Sequence, residues 1–180
     1  MKKYDCIFFD RDGTINYDPG YIKNIKHFKF FDYTIEAMAL LASLSDKFIM
    51  VTNQSGVGRG LIDEKDLIKI NDYIISELKN NNIPILKIYY CTDHPGLASE
   101  RRKPGLGMFL EASKDFDINL FDSLMIGDSA SDIEPAVELG MDSMLVLTGN
   151  GKNDRHNLID NKKPNYITEN ILTGAWLLHK

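Results

Sequence analysis

Short apolar runs that stop at a polar or acidic residue constrain this chain more than any other feature. Cys6-Ile7-Phe8-Phe9 stops at Asp10, Phe48-Ile49-Met50-Val51 stops at Thr52-Asn53, and Leu124-Met125-Ile126 stops at Gly127-Asp128. None of these runs alternates apolar with polar residues, so each predicts a strand buried on both faces, as in a parallel sheet. Ile85 to Tyr90 and Met144 to Leu147 supply further strand candidates, and a final short one falls near Tyr166.

Between the runs the period changes. Ile35, Met38, Leu41 and Leu44 predict a helix over 33–45, and Leu67, Ile70, Ile74 and Leu78 mark one face of a helix over 63–81. Residues 105–116 read as helical, with Met108 and Ala112 inward. A helix over 130–139 stops at Gly140, and a last helix ends in Trp176 and Leu177. Strands alternating with helices predict an α/β three-layer sandwich with a mostly parallel central sheet. No repeat, low-complexity tract or long linker divides the chain, so residues 1–180 are read as one domain.

The charge balance narrows the partners. Net charge is −5, which disfavours a duplex nucleic-acid binder, because such binding rests on a basic footprint. Two cysteines, Cys6 and Cys91, make no disulfide framework. The apolar run near the N-terminus is too short and too soon charged for a signal peptide, and no stretch approaches a membrane span. The expectation is a soluble, monomeric cytoplasmic protein. Asp63-Glu64-Lys65-Asp66 reads as a solvated first helical turn, and His27, His156 and His179 as surface residues.

Active sites of such sheets lie at the carboxyl ends of the strands. Those ends deliver Asp10 and Asp12, Thr52 and Asn53, and Asp128, while Arg102 and Lys103 follow the third strand. Acids, cations and a hydroxyl converging on one crevice suit phosphoryl transfer, which depends on positioning and charge stabilisation. A carboxylate nucleophile is repelled by a phosphate dianion. A divalent ion held between Asp10 and Asp128 removes that obstacle, and an oxygen-only ligand set suits Mg²⁺. Asp10 is then the nucleophile and Asp12 the general acid/base, with Lys103 and the Thr52 hydroxyl covering other phosphate oxygens. A turn alone could explain Asp12-Gly13-Thr14. It does not explain matching polar residues at successive strand ends. The glycines at 56, 58 and 60 lack a following Gly-Lys-Ser/Thr, so a P-loop is not indicated.

These segments resemble the haloacid dehalogenase superfamily of aspartate-nucleophile phosphatases. Phe9-Asp10-Arg11-Asp12-Gly13-Thr14 is similar to its first motif, and Val51-Thr52-Asn53 to the second. Arg102-Lys103-Pro104 is similar to the third, and Gly127-Asp128-Ser129-Ala130-Ser131-Asp132 to the fourth. Within it, Asp10 to Asn16, Asp18 to Tyr21 and Thr52 to Gly60 resemble the heptose bisphosphate phosphatases, with histidinol phosphatases as near relatives. The resemblance implies a Rossmann-like fold with a minimal cap and a small phosphorylated sugar as substrate. It implies that Asp18, Pro19, Gly20 and Tyr21 contact the sugar bisphosphate. Thr52, Asn53, Gln54 and Ser55 would position the phosphoryl group, with Arg102 and Lys103 recognising substrate and phosphate. The metal would be held by Asp10, Asp128 and the backbone carbonyl of Asp12. Asp132 is read as an acid that orients Lys103 or a metal-bound water, and Arg59 either as a contact to a distal phosphate or as a solvent-facing arginine at a helix entry.

Two departures stand out. Heptose bisphosphate phosphatases usually carry a zinc loop, Cys-x-His followed by Cys-x-Cys before the Arg-Lys pair. Here Asp93 takes the histidine place, and between Cys91 and Arg102 no second cysteine occurs. A structural zinc site wants four protein ligands, so zinc is not expected. Ser129 also stands where the family often has lysine. The alternatives are a histidinol-phosphate or other small-monoester phosphatase, and a catalytically silent regulatory module, against which the presence of both Asp10 and Asp12 speaks.

Overall fold

The computed structural model describes residues 2–159 and 162–180. Six parallel strands form one sheet: β1 (Ile7–Phe9), β2 (Phe48–Asn53), β3 (Ile85–Cys91), β4 (Leu124–Gly127), β5 (Asp142–Val146) and β6 (Tyr166–Thr168). Their spatial order is β3-β2-β1-β4-β5-β6. The chain therefore builds outward from β1 in one direction, then returns to β4 and builds in the other. The reversal opens a crevice at the carboxyl ends of β1 and β4, and Asp10 and Asp128 are the residues that follow those two strands.

The helices are α1 (Thr34–Leu41), α2 (Ser55–Gly58), α3 (Glu64–Asn80), α4 (Gly107–Phe116), α5 (Ala130–Glu138), α6 (Gly151–Asp154) and α7 (Ile171–Leu178). Side-chain alternation along each strand sorts them into two layers. Ile7, Phe9, Phe48, Met50 and Ile126 pack with Met38 of α1, Ile74 of α3 and Ala175 of α7. Phe8, Ile49, Val51 and Met125 face the other way, onto Met108 and Phe109 of α4 and Ala136 of α5. The expected three-layer α/β architecture is what the chain adopts.

The boundaries differ from expectation in ways that have local causes. The predicted helix over 33–45 ends at Leu41, because residues 42–44 tighten into i→i+3 bonds, Ser43 N–H to Leu40 O and Leu44 N–H to Leu41 O. The segment 105–116 becomes helical only at Gly107, since Gly105 N–H closes a turn on Arg102 O that carries Lys103 inward. The fifth strand is shifted N-terminally, from 144–147 to Asp142–Val146. Gly140 ends α5 as predicted, with φ +71° and its N–H on Val137 O.

Ile126 is fully buried and pairs with Phe9 immediately before the two acids. Ile126→Ala should cost about 2–5 kcal/mol by transfer loss plus cavity. Urea unfolding measures this, and a loss below about 1 kcal/mol would show that this part of the sheet is not the packed support described.

Candidate active site

The crevice is a cleft of about 250 Å³ lined by Asp10, Asp12, Asp18, Gly20, Tyr21, Thr52, Asn53, Gln54, Ser55, Gly56, Ile62, Arg102, Lys103, Asp128, Ser129, Ser131, Asp132 and Asn150. Every residue singled out from the sequence lies there except Pro19 and Arg59, both exposed and outside the lining. Pro19 occupies the apex of a turn in which the Asp18 carboxylate accepts the Gly20 N–H at 2.8 Å, so its neighbours rather than its ring face the cleft.

Lys103 is the electrostatic centre. Its ammonium, 3% exposed, donates to Asp10 Oδ1 at 2.7 Å, to Asp132 Oδ1 at 2.5 Å and to the Val51 carbonyl at 2.6 Å. Burial works against the charged form, but Asp10 and Asp132 outweigh it and hold the lysine protonated. Its backbone is fixed by Asn53 at the end of β2: the Lys103 N–H donates to Asn53 Oδ1 at 3.0 Å and Asn53 Nδ2 donates to the Lys103 carbonyl at 2.9 Å. Asn53 thus serves the lysine as well as lining the cleft.

Asp10, Asp128 and Asp132 place carboxylate oxygens within 4.8 Å of one another, the one such cluster of metal-ligating side chains among the described residues. The three are not equivalent. Asp132 Oδ1 is taken by Lys103, and its Oδ2 accepts the N–H and hydroxyl of Ser129, capping α5. Asp128 is held by the Asn150 N–H at 2.8 Å and the Thr14 hydroxyl at 3.2 Å. Asp132 answers to three donors, one of them the Lys103 ammonium, and Asp128 to two neutral ones, which leaves Asp10 and Asp128 the better placed of the three to share a cation. Backbone crowds Asp128 closely: a Cβ on Gly13 (φ +84°) or Gly149 (φ +48°) would lie 2.5 or 2.0 Å from its Oδ2. Burial, with Asp132 and Asp12 adding to it against the pull of Lys103, pushes Asp10 up to about 7. Burial followed by repulsion from Asp10 and Asp132 pushes Asp128 up to about 8. Two acids so reluctant to ionise fit a site completed by a divalent cation.

Asp12 has the opposite environment. Burial would raise it, but the Arg11 charge and hydrogen bonds from Arg11, Asn16 and Gln54 hold it below the usual carboxylate range. Arg11 was not flagged by its sequence position, nor were Asn16, Asn71 and Asn150. A signal for Asn71 existed: it is a polar residue on the same α3 face as Leu67, Ile70 and Ile74.

At the rim, Tyr21 and Ile62 close over Gly56, whose Cβ would lie 2.8 and 2.7 Å from them. Arg102 also lines the cleft, its guanidinium only loosely tied to the Asp93 carbonyl at 3.4 Å. In the loop after β3, Asp93 Oδ2 accepts the Ser99 N–H at 2.7 Å and its hydroxyl at 2.5 Å, while His94 Nδ1 accepts the Gly96 N–H. Arg101 pairs with Glu111 and reaches the Tyr90 carbonyl.

The raised carboxyls carry a stability consequence. In the metal-free protein Asp10 and Asp128 titrate at about 7 and 8, against roughly 4 unfolded. The native state binds more protons in between, so their contribution is full below about pH 4 and is lost as pH rises through about 7–8. Asp12 acts in the reverse sense, but only below about pH 4. In EDTA the melting temperature should fall from about pH 5 to about pH 8.5, and Mg²⁺ should raise it more at the higher pH, as ligands must be deprotonated. A melting temperature that rises with pH in EDTA would contradict the arrangement.

Comparison with known proteins agrees with this geometry. Residues 100–173 match a family model described as HAD-hydrolase-like. The chain is 38% identical over 153 residues to the D-glycero-beta-D-manno-heptose-1,7-bisphosphate 7-phosphatase of Photorhabdus laumondii, covering 80% of this chain and 81% of that protein. It is 37% identical over 152 residues to the D-glycero-alpha-D-manno-heptose-1,7-bisphosphate 7-phosphatase of Burkholderia mallei, covering 81% and 80%. A crystal structure of D,D-heptose 1,7-bisphosphate phosphatase from B. bronchiseptica, complexed with magnesium and phosphate, superposes with TM-score 0.86 at 28% identity, covering 99% of this chain and 98% of that one. The chain belongs to the D-glycero-D-manno-heptose-1,7-bisphosphate 7-phosphatase family of HAD-like hydrolases.

Proposed function

We propose that this chain removes the 7-phosphate of D-glycero-D-manno-heptose 1,7-bisphosphate through an aspartyl-phosphate on Asp10. The observation that carries the reading is the cluster of Asp10, Asp128 and Asp132, with the Lys103 ammonium bonded to Asp10 and Asp132 and Arg102 lining the same cleft. Asp10 attacks phosphorus in line with the departing sugar oxygen. Lys103 and the Thr52 hydroxyl cover the phosphoryl oxygens as charge moves, and Gln54 and Ser55 define the wall of the cleft there. Asp12 gives a proton to the sugar oxygen, then as carboxylate takes one from the water that cleaves the aspartyl-phosphate. The incoming phosphate, a like charge, favours its protonated form at the first step, and Arg11 favours the ionised form needed at the second.

Mg²⁺ held by Asp10, Asp128 and the Asp12 carbonyl supplies charge neutralisation between nucleophile and phosphate when bound. Asp132 orients Lys103 rather than joining that ligand set, a reading supported by the Lys103 ammonium on its Oδ1 and the two Ser129 donors on its Oδ2. Zinc has no part in the reading, since no second cysteine stands between Cys91 and Arg102 to complete a four-ligand site. Asp18, Gly20 and Tyr21 face the sugar, and Arg102 the second phosphate. Net charge −5 supports a free sugar phosphate over nucleic acid. No helix among the described residues is long and apolar enough to cross a membrane. We take the protein to act as a monomeric, one-domain enzyme of the cytoplasm.

A panel of both anomers of the heptose bisphosphate, histidinol phosphate and an aryl phosphate tests the substrate. The bisphosphate should be preferred by at least about tenfold in kcat/KM, roughly 1.4 kcal/mol of transition-state binding. Arg102→Ala should erase most of that preference and leave the aryl phosphate little changed. A preference for histidinol phosphate would move the chain to the other branch, and equal losses on both substrates would place Arg102 on the reacting phosphate.

A further inference from the structure

Arg11 has the largest fully buried side chain of the protein and is 1% exposed, an expensive position for a cation unless it is fully paired. Three side chains pair with it, Asp12, Gln54 and Asn71, and Asp12 takes two of the bonds. Nε donates to Asp12 Oδ1 at 3.0 Å and Nη2 to Asp12 Oδ2 at 2.8 Å, the two-pronged geometry a guanidinium makes with a carboxylate. Nη2 also reaches Gln54 Oε1 at 2.9 Å, and Gln54 Nε2 returns to Asp12 Oδ2 at 2.7 Å. The remaining arm, Nη1, leaves the cleft and donates to Asn71 Oδ1 of α3 at 3.1 Å. Asn71 is itself buried, on the face of α3 that carries the buried Ile70 and Ile74 into the core.

We infer that Arg11, anchored by Asn71 of α3, is the positioning residue that fixes the carboxylate plane of Asp12 against the reacting phosphoryl group. This inference rests on the reading of Asp12 as general acid/base. An isolated Asp side chain rotates about two torsions, and a proton shuttle must meet both the sugar oxygen and the attacking water. The fork removes that rotation, and Asn71 transfers the constraint to the packed layer of the fold. A lysine at the same place would keep the charge but not the two-pronged hold.

The test compares Arg11→Lys, Asn71→Leu, Asn71→Asp and Asp12→Asn, each assayed with Mg²⁺ below its melting temperature on heptose bisphosphate and on an aryl phosphate. Asn71→Asp keeps an acceptor for Nη1, whereas Asn71→Leu has none. Arg11→Lys and Asn71→Leu should each lower kcat by about 10- to 100-fold with KM changed less than about threefold, and Asn71→Asp should stay within about threefold of the parent. Equal losses in Asn71→Asp and Asn71→Leu would overturn the inference, because a general packing defect then suffices. Near-parental kcat in Arg11→Lys and Asn71→Leu while Asp12→Asn is inactive would also overturn it and leave the Asp12 reading intact. Near-parental activity in Asp12→Asn would remove the reading itself, and the inference with it.

Discussion

Three carboxylates buried side by side repel one another, and in a poorly screened interior that repulsion would expel or neutralise them. The Lys103 ammonium bonds to Asp10 and Asp132 at once, and the rest of the structure is arranged so that it can. Asn53 at the tip of β2 clamps the lysine's backbone, and the Val51 carbonyl takes its third proton. Asp132 is pinned by Ser129 at the start of α5. One lysine does not balance three acids, and Asp10 and Asp128 remain pushed up to about 7 and 8. The same imbalance that costs stability makes the site receptive to a cation, so the binding of metal and the poise of the nucleophile have one origin.

Asp12 sits a few ångströms of chain away and is governed by a different rule. Its carboxylate is surrounded by donors, Arg11, Asn16 and Gln54, which hold it below the usual carboxylate range while Asp10 and Asp128 are pushed above it. Two aspartates separated by one residue are thereby driven to opposite ends of the carboxylate range. The reaction needs the reverse pattern: a cation bound beside Asp10 would favour its ionised, attacking form, and the negative charge of the phosphate would favour protonated Asp12.

Much of this was legible in the sequence, for a physical reason. Strands buried on both faces leave an uninterrupted apolar run, so Asp10 and Asp128 announce themselves as the first polar residues after Phe9 and Gly127. Parallel strands all end on the same side, which brings residues far apart in sequence to one cleft. Asn71 betrays itself only as a polar residue on the apolar face of α3, and the sequence does not tie it to Arg11. An arginine in a turn motif ordinarily faces water, and only the docking of α3, supplied by residues 60 positions later, buries it. Arg59 follows the second of its two sequence readings: at the end of the short helix α2 it is exposed and lies outside the cleft. The end of α1 and the start of α4 were misjudged because tight turns there continue the helical period without continuing the helix.

The account turns on a phosphoryl group passing through Asp10. Asp12→Asn enzyme, mixed with Mg²⁺ and heptose bisphosphate, quenched in acid and digested, should yield the peptide containing Asp10 with one added phosphoryl group. The adduct should be lost on treatment with hydroxylamine, as expected of an acyl phosphate, and should be absent when Asp10 is also replaced by Asn. An unmodified Asp10 peptide from enzyme that still releases phosphate, or an adduct on another residue, would contradict it.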